Sequence, residues 1–243
     1  LKVFGYGGAP ISTLLNENQI DDLPQVPTYR SGGRIVFYAQ GPITWSTSKN
    51  GDIQFVQVQH PYSTAGYYLV TDREDIEPAT MATTSTPIAQ QGEELTTFTE
   101  RLFHEEELFS PGQTGNLLLG EDFKYNSTQT FSFNIPGHTE GSPVNILTAF
   151  AAKAIGTTSS SLTFKCNGTT LETSANDKVA AMSSSDGYTH CKLANTVKRC
   201  NVDGTSVLFT ITFKNSVTVL SMARLDYITI NYERDLKMSG SDF

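Results

Sequence analysis

Three cysteines and four histidines are the residues of this 243-residue chain best suited to covalent chemistry. A cysteine attacks as its thiolate, so thiol catalysis needs an imidazole within hydrogen-bonding reach of the sulfur. His190 and Cys191 are adjacent, but successive residues of a strand point to opposite faces and cannot form a dyad. Cys166 closes an apolar run and enters Asn167-Gly168, a tight hairpin turn, where a cysteine reads as structural. Cys191 and Cys200 could close a loop as a disulfide; two free thiols are the alternative, and an odd count leaves at least one thiol free. A zinc site calls for four Cys/His ligands at paired spacing, and His190-Cys191 with Cys200 is too sparse. Ser110 sits in no Gly-x-Ser-x-Gly elbow. Gly5-Tyr6-Gly7-Gly8 lacks the Lys-Ser/Thr pair of a phosphate loop and reads as a tight turn.

His104-Glu105-Glu106-Glu107 and Asp72-Arg73-Glu74-Asp75 carry the hard oxygen ligands that suit Ca²⁺. Consecutive carboxylates on a strand alternate sides, so both strings read as solvated acidic turns, and a structural Ca²⁺ is the one cofactor left open. No catalytic, cofactor-binding or metal residue is assigned. Trp45, Tyr38, Tyr62, Tyr67 and Tyr68 cluster in the first half. On the surface they would stack sugar rings; Tyr38 and Tyr67, within apolar strands, read as core. The sequons at Asn126 and Asn167 read as chance. A net charge of −8 repels phosphate backbones and argues against a nucleic-acid partner. No run approaches the ~18 apolar residues of a membrane-spanning helix; the most apolar, Val144 to Ile155, is broken by Asn145 and Lys153. With no signal peptide and no initiator Met, the chain reads as a piece of a longer protein.

The elements that must position these residues are strands, because period-2 alternation bounded by turn residues recurs. Strands are expected at Lys2 to Tyr6, Arg34 to Ala39, Thr44 to Thr47, Ile53 to Val58 and Tyr67 to Thr71, with a hairpin turn at Lys49 to Asp52. Glu93 to Phe109 fits a strand or a short helix, with the Thr and aromatic content leaning to strand. Thr128 to Ile135, Pro143 to Ala154, Ser161 to Cys166, Ser206 to Phe213 and Val217 to Asn231 follow, the second apolar on both faces. The pattern predicts a mainly β chain: a smaller β-rich region, 1–109, then an antiparallel β-sandwich, jelly-roll-like, over 110–243, joined at Ser110-Pro111-Gly112. The tail from Lys237 reads as the start of a linker.

Several strings, in order along nearly the whole chain, resemble one family. These are Lys2-Val3-Phe4-Gly5-Tyr6-Gly7-Gly8; Asp21-Asp22-Leu23; Ile35 to Pro42 with Trp45; Tyr62-Ser63 with Gly66 to Thr71; His104-Glu105 with Gly120-Glu121-Asp122-Phe123; and Leu225-Asp226-Tyr227-Ile228 with Asn231, Arg234 and Leu236. They are similar to the non-catalytic N-terminal part of PorU-type sortases, gingipain-related cysteine peptidases of the type IX secretion system. Where that family has an aromatic before its Gly-Glu pair, Leu117-Leu118-Leu119 stand here. The family's catalytic His precedes a Gly, whereas the histidines here precede Pro61, Glu105, Thr139 and Cys191. The resemblance implies a region that is not itself an enzyme. Its partners would be a peptidase domain C-terminal to it, secretion cargo or outer-membrane components, and its location the bacterial cell surface. Two other classes stand beside this reading: a carbohydrate-binding module with glycan as partner, and a surface adhesion or structural sandwich.

Overall fold

A computed structural model describes residues 1–6, 22–47, 53–60, 62–83, 92, 94–113, 115, 117–154, 159–182, 190–214 and 221–238. The expected turns at 49–52 and 215–216, Gly7-Gly8, Asp21 and the tail from 239 lie outside these residues. Contacts divide the chain into Leu1–Ser46 with Gln57–Glu93, and Thr47–Val56 with Glu94–Phe243. The division does not fall at Ser110–Gly112, because the segment at 97–105 is hydrogen-bonded into the second unit.

The first unit is built from short strands: β1 (Lys2–Phe4), β2 (Gln25–Val26), β3 (Thr28–Ser31), β4 (Arg34–Phe37) and β7 (Leu69–Thr71); the residues of β5 (Thr44–Thr47) and β6 (Phe55–Val58) are divided between the two units. β1 is the middle of a three-stranded antiparallel sheet, ordered β2-β1-β7, with Val3 paired to Val26 and Val70. β3 and β4 form a hairpin whose two turn residues, Gly32 and Gly33, both have positive φ (57° and 76°), as a type I′ turn needs. β5 and β6 form a two-stranded sheet.

The second unit holds longer strands: β8 (Thr97–Glu105), β9 (Thr128–Asn134), β10 (Pro143–Lys153), β11 (Ser160–Cys166), β12 (Thr169–Thr170), β13 (Lys178–Val179), β14 (Lys192–Asn201), β15 (Ser206–Lys214) and β16 (Met222–Asp235). One sheet runs β14-β10-β16-β8 and the other β12-β11-β15-β9, with β13 also on β11, and all their ladders are antiparallel. Strands pair from the outside inward along the chain: β8 with β16, β9 with β15, β10 with β14, and β11 with β12 and β13. That nesting is the jelly roll expected from the sequence.

Alternation explains the packing. In β15, Val207, Phe209, Ile211 and Phe213 point inward, and Phe131, Phe133, Leu162 and Phe164 do so from the neighbouring strands. They meet Ile146, Phe150, Leu225, Ile228, Ile230 and Tyr232 from the opposite sheet in a single core. β10 is buried on both faces from Ile146 to Ala152, as a strand between covering layers should be. The Asn167-Gly168 turn after β11 has φ of 47° and 84°, the type I′ geometry the sequence calls for. The register of β10 on β16 slips between Ala149 and Phe150, which pair with Tyr227 and Leu225 and leave Asp226 as the extra residue of a bulge.

Candidate functional site

The three thiols occupy three different settings. Cys191 is half-buried just before β14, and burial pushes its pKa up. Cys200 lies near the far end of that same strand. At about 3.3 Å per residue, the two are roughly 30 Å apart, so the possible Cys191–Cys200 disulfide is ruled out by the extended backbone between them. Cys200 instead points into the sandwich core that also holds Cys166, both buried, and the two thiols act on one another's pKa. The Cys166 thiol, and then burial, hold the Cys200 pKa up. The imidazole of His190 rests against the backbone at Gly112, where a Cβ would come within 2.8 Å of the ring. Gly112 itself has φ of +66°, so a side chain is excluded there twice over. Among the described residues no cysteine hydrogen-bonds to a histidine.

One serine–histidine contact escaped the sequence reading. His138 Nε2 lies 3.2 Å from Ser142 Oγ, but also 2.9 Å from the Ser142 carbonyl oxygen. A carbonyl only accepts, so Nε2 carries the proton and cannot take one from the serine. Ser142 Oγ donates to the Thr139 carbonyl at 2.7 Å. The pair fastens a turn rather than forming a nucleophile and its base.

The strings that carry the resemblance meet in space. His104, on β8, and Glu121, seventeen residues further on, form an ion pair at 2.5 Å. The Glu121 contact raises the His104 pKa against the effect of burial. Burial alone would raise Glu121, but its bond to His104 brings the net value below the ordinary one. The pair is fully charged between those two values. Its contribution fades as pH rises through the raised histidine pKa or falls through the lowered glutamate one. Gly120 passes so close to the chain that a Cβ would sit 3.0 Å from the Glu106 carbonyl oxygen. Leu119 and Phe123, at 0% and 1% exposure, anchor the segment on either side. The leucine before the Gly-Glu pair is thus core. Arg224 grips the same segment, donating to the Gly120 carbonyl and pairing with Asp122 at 2.8 Å.

Beyond this lies an acidic corner. Asp226, on the bulge, has its pKa pushed up to about 6, first by burial and then by Glu107. Glu107 is itself raised by burial, against a hydrogen bond with Glu105. The string at 104–107 therefore divides: His104 goes to Glu121, while Glu107 acts on Asp226. Asp72 to Asp75 is exposed, and Arg73 neutralises Asp75 through a two-pronged ion pair. Among the described residues no group of three or more His, Cys, Asp or Glu side chains converges to hold a metal ion.

Asn231 does a different job. Its Oδ1 accepts from the backbone N–H of Gln54 (2.9 Å) and Phe55 (2.8 Å), and its Nδ2 donates to the Phe55 carbonyl at 3.0 Å. One amide thus acts as a short piece of strand and holds residues 53–56 on the outer face of the sheet. Ile53 is 1% exposed there, and Arg101 lies over the Phe55 ring. A polar cleft of about 350 Å³ opens beside it, lined by Gln54, Thr97, Thr99, Asn145, Asn231 and Glu233. Much of its lining is already engaged: Thr97 donates to Glu233 and Thr99 to Gln54.

The aromatics of the first unit overturn an expectation. Tyr38 and Tyr67 are not core; they are 73% and 78% exposed, because each falls just outside the short strand expected to contain it. Tyr62 and Tyr29 are exposed as well. Tyr38 also lines an apolar groove of about 460 Å³ with Tyr6, Pro24, Val26, Pro27 and Met81.

Strand order, core and bulge define a jelly-roll β-sandwich carried with a small β-rich unit. No protein-family model and no curated protein matches the sequence. Among solved structures, the crystal structure of dimeric latent PorU from Porphyromonas gingivalis matches with a TM-score of 0.80 and 27% identity, over 98% of this chain. The chain is a PorU-like region, and it spans 22% of the length of that protein. Two structures of infectious bursal disease virus also match. The derived T=1 particles do so at a TM-score of 0.29, with 11% identity over 95% of this chain and 50% of theirs. The Gx strain does so at 0.28, with 12% identity over 98% and 56%. Likeness at that level carries no argument. No helix among the described residues is long and apolar enough to cross a membrane.

Proposed function

We propose that this chain is the accessory, scaffolding part of a PorU-like cell-surface sortase. The whole protein would cut sorting signals from type IX secretion cargo and anchor the cargo outside the cell. The region would hold a peptidase domain or meet cargo and outer-membrane components, without chemistry of its own. The observation that carries the reading is the match to PorU over 98% of the chain, with His104 and Glu121 of a resembling string joined as an ion pair. It is tested in the host by replacing Asn231 with Ala, or by removing the region, in the parent protein. Cargo should then keep its sorting signal and leave the cell surface. Normal processing and anchoring without the region would end the proposal.

A second reading rests on the exposed tyrosines of the first unit. Tyr38 and Tyr67 present flat faces of the kind sugars stack on. A glycan array decides it: binding that disappears in Tyr38→Ala supports a carbohydrate-binding role, and no binding to any glycan removes it.

A further inference from the structure

Cys166 and Cys200 belong to opposite sheets. Cys166 is the last residue of β11, paired with Phe209 of β15, while Cys200 lies on β14, paired with Val144 of β10. Both side chains face the common core, at 4% and 1% exposure, and the two thiols are near enough to shift one another's pKa. A second contact fixes how the strands face one another. Lys198, two residues before Cys200, holds its ammonium 5.2 Å from the ring centre of Phe164, two residues before Cys166. A step of two residues keeps each strand on its inward face, so the same alignment that brings Lys198 to Phe164 brings Cys200 to Cys166. Cys191, at the other end of β14, cannot reach either.

We propose that Cys166 and Cys200 are a cross-linking site, joined as an inter-sheet disulfide when the chain folds in the presence of a disulfide oxidant. Sandwich domains are known to carry a disulfide between their two sheets. The oxidant is a small-molecule or protein disulfide. One cysteine, as thiolate, attacks it to give a mixed disulfide and release one thiol. The second cysteine, as thiolate, attacks the protein sulfur of that mixed disulfide, the Cys166–Cys200 bond forms, and the second thiol leaves. Two electrons pass to the oxidant, which ends as two thiols. Because both sulfurs are buried in the finished sandwich, the exchange belongs to folding, before the core closes. That such a link forms in the cell rests on the extracytoplasmic location proposed above, since oxidising compartments keep disulfides and the cytosol reduces them.

The test uses protein isolated from its host without reductant, with free thiols alkylated under denaturing conditions before digestion and mass spectrometry. The expected result is a linked pair of peptides carrying Cys166 and Cys200, lighter by two hydrogens than their sum, with Cys191 alkylated. A parallel sample is reduced, then refolded with oxidised glutathione. If the link forms there but not in protein from the host, the site stands and the extracytoplasmic location fails. If both cysteines are alkylated in both samples, or if Cys191 is found linked to either, the proposal is overturned. A second measurement does not depend on digestion. Reductant should lower the melting temperature of the oxidised protein by several degrees, and should have no such effect on Cys166→Ala, which keeps an apolar side chain in the core. An equal effect of reductant on both proteins contradicts the cross-link.

Discussion

The two units spend their apolar side chains differently. In the sandwich, strands of seven to fourteen residues form the main ladders, and Phe209, Ile211, Ile228 and Ile230 are fully buried against one another. In the first unit the strands run two to four residues. Val3 and Val26 are buried there, yet Tyr29, Tyr38, Tyr67, Leu69 and Val70 remain more than half exposed. A strand of three residues puts at most two side chains on one face, so it can cover little of what its neighbours expose. Substitutions in the sandwich should be read out as stability. Substitutions in the first unit should be read out as binding.

The largest effect should come from the sandwich core. Phe209→Ala removes a fully buried ring stacked on Phe164 at 5.7 Å, and should cost about 4 kcal/mol by denaturant titration. A cost below ~1 kcal/mol would mean that the two sheets do not close on that core. Next comes Lys198→Met. Lys198 pairs with Asp177 at 2.6 Å, with side chains 5% and 1% exposed. Burial alone would raise the Asp177 pKa, but Lys198, Ser174 and Thr196 together bring it below the ordinary range. The carboxylate is thus held charged, and stripping its cation should cost about 3 kcal/mol. The contribution of Asp177 is present above its unfolded pKa and lost as pH falls through the lowered folded one, so an acid titration of stability should flatten there in the variant. Third, Asn231→Ala cuts three hydrogen bonds to residues 54 and 55 and should cost about 2 kcal/mol.

The acidic corner should act in the other direction. A carboxyl with a folded pKa of about 6 binds a proton more readily folded than unfolded. Stability therefore rises as pH falls from neutral toward ordinary carboxylate values. Asp226→Asn should gain on the order of 2 kcal/mol at pH 7 and nothing near pH 3, measured as a melting-temperature profile against pH. The smallest effect belongs to the first unit. Tyr38→Ala should shift stability by less than ~0.5 kcal/mol. A shift as large as that of Phe209→Ala would erase the contrast between the units.

The sandwich was legible where apolar residues alternate inward, as in β9, β11, β15 and the return strand β16. β14 was not foreseen at all. Its inward residues are Thr196, Lys198 and Cys200, while Leu193 and Val197 point out at 61% and 41% exposure, so the pattern is inverted. The inversion works because Asp177, 21 positions before Lys198 and outside β14, supplies the charge that Lys198 needs. β8 stayed ambiguous because every residue in it is half-buried, with no clean face to read. β8 also finds its partner in β16 at the other end of the chain, a pairing that no local pattern marks. Of the candidate residues, His104 and Glu121 were singled out as parts of a resembling string, but nothing local tells that they meet. The exposure of Tyr38 and Tyr67 depends on where a short strand stops, which alternation alone does not mark.

The proposal that this PorU-like region supports a peptidase without being one can be tested on the chain itself. The direct measurement incubates the purified chain with a peptide ending in a cargo sorting signal and follows cleavage by mass spectrometry. The peptide should stay intact at every pH tested. Cleavage that is abolished by alkylating Cys191, or by replacing any one of the four histidines, would contradict it.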